Sequence, residues 1–275
     1  MRDSIQSLSA IRERIAGDWQ SGKAAAWDMA LSGHAALDSY LDGGLRRGQL
    51  HEIFASSADD NGSAAGFAAM LALCATQPRK RTLWLRTLDA PRQGGRFNSA
   101  GLAELGGDPA AFLMAVAPDD TVLLRSAADA LRCTGFGSVI IECWGSPAIL
   151  DLTASRRLTL AAGQAGVTAF MLRLGAREQP STADTRWSVQ SAPSTPLEAN
   201  APGHPVLDVT LLRQRSGPAG KSWRMEWNRD QRRFQDPARN AANGNDHSAA
   251  PLSGAVVSIP AGKPVTHSWG FKRRA

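Results

Sequence analysis

The chain has only three cysteines, Cys74, Cys133 and Cys143. An odd number, widely spaced in apolar surroundings, supports neither a disulfide framework nor a zinc site. Long apolar runs are missing as well. The N-terminus carries Arg2 and Asp3 and then turns amphipathic, so neither a membrane span nor a secretory leader is expected, and a cytoplasmic setting follows. Charge of one sign does not dominate: 31 Lys and Arg stand against 25 Asp and Glu, and the net +6 comes mainly from arginine. Such mild basicity permits nucleic-acid contact without requiring it.

The most telling absence is local. Gly43–Gly66 reads GGLRRGQLHEIFASSADDNGSAAG. Leu50 to Phe54 suits a buried first strand, and Ala64 to Cys74 suits the helix after it. Strand, loop and helix are the setting of a phosphate-binding loop, which needs glycines to wrap phosphate, a lysine, and a Ser or Thr for magnesium. Ala55 to Ser63 contains no lysine and places Asp59 and Asp60 where phosphate oxygens would lie. Like charge would meet like charge, so no nucleotide, metal or other cofactor is expected and the chain is read as a non-enzyme.

With 275 residues, 43% of them hydrophobic, the chain can bury one large core. Strand candidates at Thr82 to Arg86, Phe112 to Val116, Ser138 to Cys143 and Val167 to Leu174 alternate with helices at Ala100 to Leu105, Thr121 to Leu131 and Leu150 to Ala162. The alternation predicts an α/β fold with a mainly parallel sheet flanked by helices. Thr185 to Gln190 follows as a further strand. Val206 to Leu212 and Ser222 to Asn228 then form an antiparallel hairpin around Gly217-Pro218-Ala219-Gly220. Trp223, Met225 and Trp227 share one hairpin face as core, with Arg224 and Glu226 on the other. Gly220-Lys221-Ser222 imitates a P-loop ending but leads into a strand.

Three parts are expected. Residues 1–35 hold an amphipathic helix with Ile5, Leu8, Ile11 and Ile15 on one stripe, plus a linker; the stripe covers the chain's own surface or meets a second protomer or a partner. Residues 36–235 form the core with its degenerate loop. Residues 236–275 have the Asn, Ala, Gly, Ser and Pro content of a disordered tail, carrying Val256-Val257-Ser258-Ile259-Pro260 and a final Trp269-Gly270-Phe271-Lys272-Arg273.

Ala36-Leu37-Asp38, Gly43-Gly44-Leu45-Arg46-Arg47-Gly48-Gln49-Leu50 and Glu52-Ile53-Phe54 together resemble the approach to the P-loop in the RecA recombinase core. With the lysine missing, the chain resembles the ImuA family, RecA-like accessory proteins of bacterial damage-inducible mutagenesis cassettes, over roughly Ala36 to Phe234. The resemblance implies a role in error-prone translesion synthesis. It also implies partners: an inactive Y-family polymerase homologue, the beta clamp by way of that homologue, an error-prone replicative-type polymerase, and RecA itself. In recombinases the strand of Thr82 to Arg86 would end in a water-activating acid, but Thr87 and Leu88 stand there, with Asp89 beyond. Glu142 lies where an acid would organise magnesium, yet has no phosphate loop to serve. The loops that hold DNA in recombinases are here a very short Gly145 to Ile149 and a segment bearing Arg177 and Arg186. A SulA-like inhibitor of cell division, sharing the architecture without a P-loop, is the alternative.

Function would then reside in surfaces. Trp269, Phe271 and Arg273 are candidate partner contacts, because a free tail has no reason of its own to keep a Trp and a Phe. Arg213, Arg215 and Arg224 on the basic hairpin are candidates for DNA or an acidic partner, against the plainer reading of a charged edge that resists aggregation.

Overall fold

The computed structural model describes residues 28–197 and 201–237. The N-terminal stripe and the candidates Trp269, Phe271 and Arg273 lie outside the described residues. A nine-stranded sheet organises the rest. A two-stranded ribbon, β1 (Met29–Ala30) and β2 (Leu45–Arg46), encloses helix α1 (Ala35–Tyr40). His34 caps that helix, its ring accepting from the Leu37 amide at 3.2 Å. Gly44 is forced by the ribbon: its φ is +111°, and a Cβ there would lie 2.5 Å from the Ala30 carbonyl oxygen.

The alternating part runs through β3 (Leu50–Ala55), helix α2 (Asn61–Ala75), β4 (Arg81–Thr87), helices α3 (Ala90–Gly94) and α4 (Ser99–Glu104), β5 (Phe112–Ala117), helix α5 (Asp120–Ala130), β6 (Phe136–Trp144), helix α6 (Leu152–Ala165) and β7 (Thr168–Leu174). Strands β8 (Thr185–Ala192), β9 (Val206–Gln214), β10 (Ser222–Asn228) and β11 (Arg233–Gln235) complete the chain. The sheet order is β11-β10-β9-β8-β3-β7-β6-β4-β5. Pairings from β8 through β3 to β5 are parallel and those from β8 to β11 antiparallel. The expected parallel core and terminal hairpin are therefore both present.

Residues alternate between two cores. Ile53, Ile140, Phe170 and Leu172 face α2, while Leu50, Val139, Ile141 and Met171 face α5 and α6. Helix α2 is apolar nearly all round, with Phe67, Ala68, Met70 and Leu71 buried, as a helix clamped over a central sheet must be. The hairpin aromatics are core. Trp227 packs edge-on to Phe234 at 4.8 Å, Phe67 lies 5.5 Å from Phe234, and Trp187 lies 6.4 Å from Trp223. Glu226 keeps to the face opposite Trp223, Met225 and Trp227, as expected, but is buried there, and Gln235, its partner across the β10–β11 pair, donates from Nε2 to its Oε1 at 2.9 Å. Lys221 rests its ammonium over Tyr40 at 4.8 Å, which gives the P-loop look-alike a packing role.

At the centre, His51 on β3 is fully buried. Trp187 Nε1 donates to Thr185 Oγ1 at 2.7 Å, and Thr185 lies 2.8 Å from His51 Nδ1. His51 Nε2 lies 2.9 Å from the Arg46 carbonyl oxygen. The chain of donors is complete only with a neutral imidazole that carries its proton on Nε2. Burial pushes the His51 pKa below its ordinary value, outweighing the attraction of Asp184. A group held neutral in this way takes up a proton more readily when unfolded. Stability should therefore fall as pH drops below about 6.5, the unfolded value, towards the lower folded one. Urea denaturation between neutral pH and pH 5 should show the loss in the native chain, and less of it in a His51→Gln variant.

Candidate functional site

Where a phosphate would sit, the loop between β3 and α2 closes on itself. Ser56 N–H donates to the Val189 carbonyl at 2.9 Å and Asp60 N–H to the Ser57 carbonyl at 3.2 Å, so these amides are not free to wrap an anion. Residues Ala58–Asp60 form a single 3₁₀ turn. Asp60 is buried, and its Oδ1 accepts from the amide and hydroxyl of Ser191 on β8 at 2.9 and 3.1 Å. Its Oδ2 accepts from Ser57 Oγ at 2.7 Å. Asp60 precedes α2 as its N-cap residue, but its carboxylate turns to Ser191 and Ser57 and makes no hydrogen bond to the amides of the helix. Asp59 is exposed, so the two acids expected to face a phosphate part company.

The Ser191 amide, followed by smaller contributions from the serine hydroxyls, holds the Asp60 carboxyl below its usual range. Its contribution to stability is present above the unfolded value of about 4 and is lost as pH falls through the lower folded value. Asp60→Ala should therefore cost about 1–3 kcal/mol at neutral pH by leaving the Ser191 amide without its acceptor. That penalty should shrink as the native chain is acidified below pH ~4; urea midpoints for both chains across that range check it.

Beside the loop lies a cleft of about 340 Å³, lined by Asn61, Ala65, Trp84, Arg86, Phe97 and Glu142 among others. Its floor is a hydrogen-bonded network in which only Arg86 Nε is left without a partner among the atoms of Arg86 and Glu142. Glu142 on β6 is buried, and its Oε1 accepts from Arg86 Nη2 and from Trp144 Nε1, each at 2.8 Å. Its Oε2 accepts from Trp84 Nε1, also at 2.8 Å. Arg86 Nη1 donates onward to the Gly95 carbonyl at 3.1 Å. Both oxygens of the acid that sequence position marks for magnesium are engaged. Asp89 is exposed and pairs with Arg92 at 3.3 Å. Among the described residues no cluster of three or more His, Cys, Asp or Glu is placed to hold a metal.

A second network, on the other face of the sheet, was not foreseen. Glu52 Oε2 accepts from Arg186 Nε at 2.6 Å and from Ser181 Oγ at 2.8 Å, and its Oε1 lies 3.8 Å from Arg173 Nη1. Arg186, counted with the segment corresponding to a DNA loop but also within the expected strand Thr185 to Gln190, lies in β8 and is buried, so it is not offered to a ligand. Arg177 is exposed. The signal for these networks was a single charge set into an apolar strand: Glu52, Arg86, Glu142 and Arg173 each interrupt one.

The hairpin arginines do not form one patch. Arg224 makes two bonds to Asp208, at 2.8 and 2.7 Å, and Asp208 raises its pKa. Arg213 lies five residues farther along β9 than Asp208, about 17 Å away at strand rise, and donates to the Ser181 carbonyl at 3.0 Å. Arg229 pairs with Glu104 at 2.9 Å. Arg215 is exposed and makes no ion pair among the described residues. All three cysteines are free, and burial raises the thiol pKa of Cys74 and Cys143 to about 12. No helix among the described residues is long and apolar enough to cross a membrane.

A central sheet with a strand, loop and helix at its P-loop position, finished by an antiparallel hairpin, defines the RecA-like fold. The chain is similar to the solved structure of the RadB recombinase, with a TM-score of 0.53 over 76% of this chain and 100% of that one. Sequence identity is 16%, so the likeness is one of fold. No protein-family model matches the chain, and no curated protein matches it by sequence.

Proposed function

We propose that this chain is a non-catalytic, RecA-like accessory protein of damage-induced, error-prone translesion synthesis, as its resemblance to the ImuA family implies. The observation that supports this best is the loop after β3, which lacks a lysine and whose Asp60 carboxylate is bound to Ser191 at the end of α2. A phosphate there would find no lysine in the loop, would lie close to the charges of Asp59 and Asp60, and would find the Ser56 and Asp60 amides already hydrogen-bonded. Function passes to surfaces that contact an inactive Y-family polymerase homologue, an error-prone replicative-type polymerase, the beta clamp through the former, and RecA.

Copurification from DNA-damaged bacterial cells tests the reading, comparing the full chain with one ending at Gln235. Polymerase-like proteins or RecA held by the full chain support it, and their loss on truncation places contact in the segment of Trp269, Phe271 and Arg273. Recovery of the tubulin-like division protein alone would favour the SulA-like alternative instead.

A further inference from the structure

Helices α5 and α6 lie side by side on the sheet face away from α2, and a groove of about 510 Å³ opens between them. Its floor is aliphatic: Leu124 and Ala128 from α5, Ala154 and Leu158 from α6. At one end Ile149 is 43% exposed, and Leu152, in the first turn of α6 outside the groove's lining, is 53% exposed. Exposed aliphatic side chains beside an open aliphatic floor call for a cover.

The charges of the walls select what covers it. Asp129 is taken by Arg132 at 3.1 Å, and Asp151 caps α6 by accepting from the Ala154 amide at 2.7 Å. Arg125 on one wall and Arg157 on the other are exposed and make no ion pair among the described residues. The lining thus holds three arginines, Arg125, Arg132 and Arg157, against two acids, Asp129 and Asp151, so positive charge is in excess and each wall carries an arginine that makes no ion pair among the described residues. No aromatic side chain lines it, so single-stranded nucleic acid would find cations but no stacking surface.

We propose that this groove receives an acidic amphipathic segment of a partner protein, with aliphatic anchors on the floor and carboxylates on both flanks meeting Arg125 and Arg157. This is helix-in-groove recognition, in which apolar anchors at helical spacing supply affinity and flanking charge supplies orientation and selectivity. The inference depends on neither the loop after β3 nor the mutagenesis reading.

The test uses the full chain and a fluorescein-labelled synthetic peptide with leucines at i, i+3, i+4 and i+7 flanked by glutamates, followed by fluorescence anisotropy. The same peptide with glutamines for glutamates is the control. Wild type should prefer the acidic peptide, and Arg125→Glu with Arg157→Glu should weaken its binding about tenfold or more. Ala128→Trp, which fills the floor while leaving both arginines, should also weaken it, whereas Arg92→Glu, an exposed cation on α3 outside the groove, should bind like wild type. Unfolding midpoints of the variants separate lost binding from lost fold. Equal binding of both peptides, or full affinity in the double charge reversal, overturns the proposal. So does an oligothymidylate that outcompetes the peptide in wild type and loses affinity with the same two reversals, which would make the groove a nucleic-acid site.

Discussion

Glu142→Ala should lower the unfolding free energy by about 3–5 kcal/mol, the usual cost of stripping one partner from a buried ion pair. The carboxylate is 3% exposed and Arg86 is 6% exposed, so the guanidinium left behind would have neither counter-charge nor water. The indole N–H groups of Trp84 and Trp144 would lose their acceptor at the same time. Glu142→Gln keeps one oxygen and the shape, and should fall between the two. Urea denaturation of the three chains measures this directly. The same series separates structural from catalytic duty. A magnesium-organising acid needs an oxygen left open to the ion, and its removal abolishes turnover with little cost to the fold. Here both oxygens are committed, so ATP turnover should stand at background in all three chains, while stability alone changes.

Glu52→Ala should be at least as damaging, by the same ~3–5 kcal/mol or more, because two buried guanidiniums share that one carboxylate. Arg186 is bonded through Nε, and Arg173 sits 3.8 Å from the other oxygen at 2% exposure. Arg173 is the less well satisfied of the two. Its Nε and Nη2 have no hydrogen-bond partner, and its guanidinium lies 5.6 Å from the Phe54 ring centroid. Burial, opposed by Glu52, draws its pKa below the ordinary arginine value. An asymmetry follows. Arg173→Met removes the poorly compensated charge while leaving Glu52 paired with Arg186, so it should cost far less than Glu52→Ala. Thermal unfolding of the two variants checks the order, and equal losses would mean that Arg173, not Arg186, is the principal partner of Glu52.

The elements were legible because local pattern decides them. Val139-Ile140-Ile141 can hardly be anything but a buried strand, and Trp223, Met225 and Trp227 alternate with Arg224 as a half-buried strand does. The degenerate loop was equally visible, since a missing lysine is a fact of sequence alone. What local pattern cannot supply is strand order. Glu142 meets Arg86 because β4 lies beside β6, and Glu52 meets Arg173 and Arg186 because β7 and β8 flank β3. Each charge announced that it needed a mate without saying which. Glu226 stands on the face that alternation assigns it, but its burial was not legible for a related reason: the Gln235 side chain of β11 covers it. The hairpin cations looked like one patch because a charge count ignores Asp208 and Glu104, which neutralise Arg224 and Arg229.

Damage-induced mutation frequency, scored in a bacterial host carrying or lacking this chain, is the most direct measurement of its role. We expect deletion to bring induced mutation down to the undamaged background. A copy carrying Asp59→Ala should restore it, because Asp59 is an exposed loop acid and the proposed role uses no nucleotide. Undiminished mutation in the deletion strain, with loss of damage-induced filamentation instead, would contradict the accessory role and leave an inhibitor of division in its place.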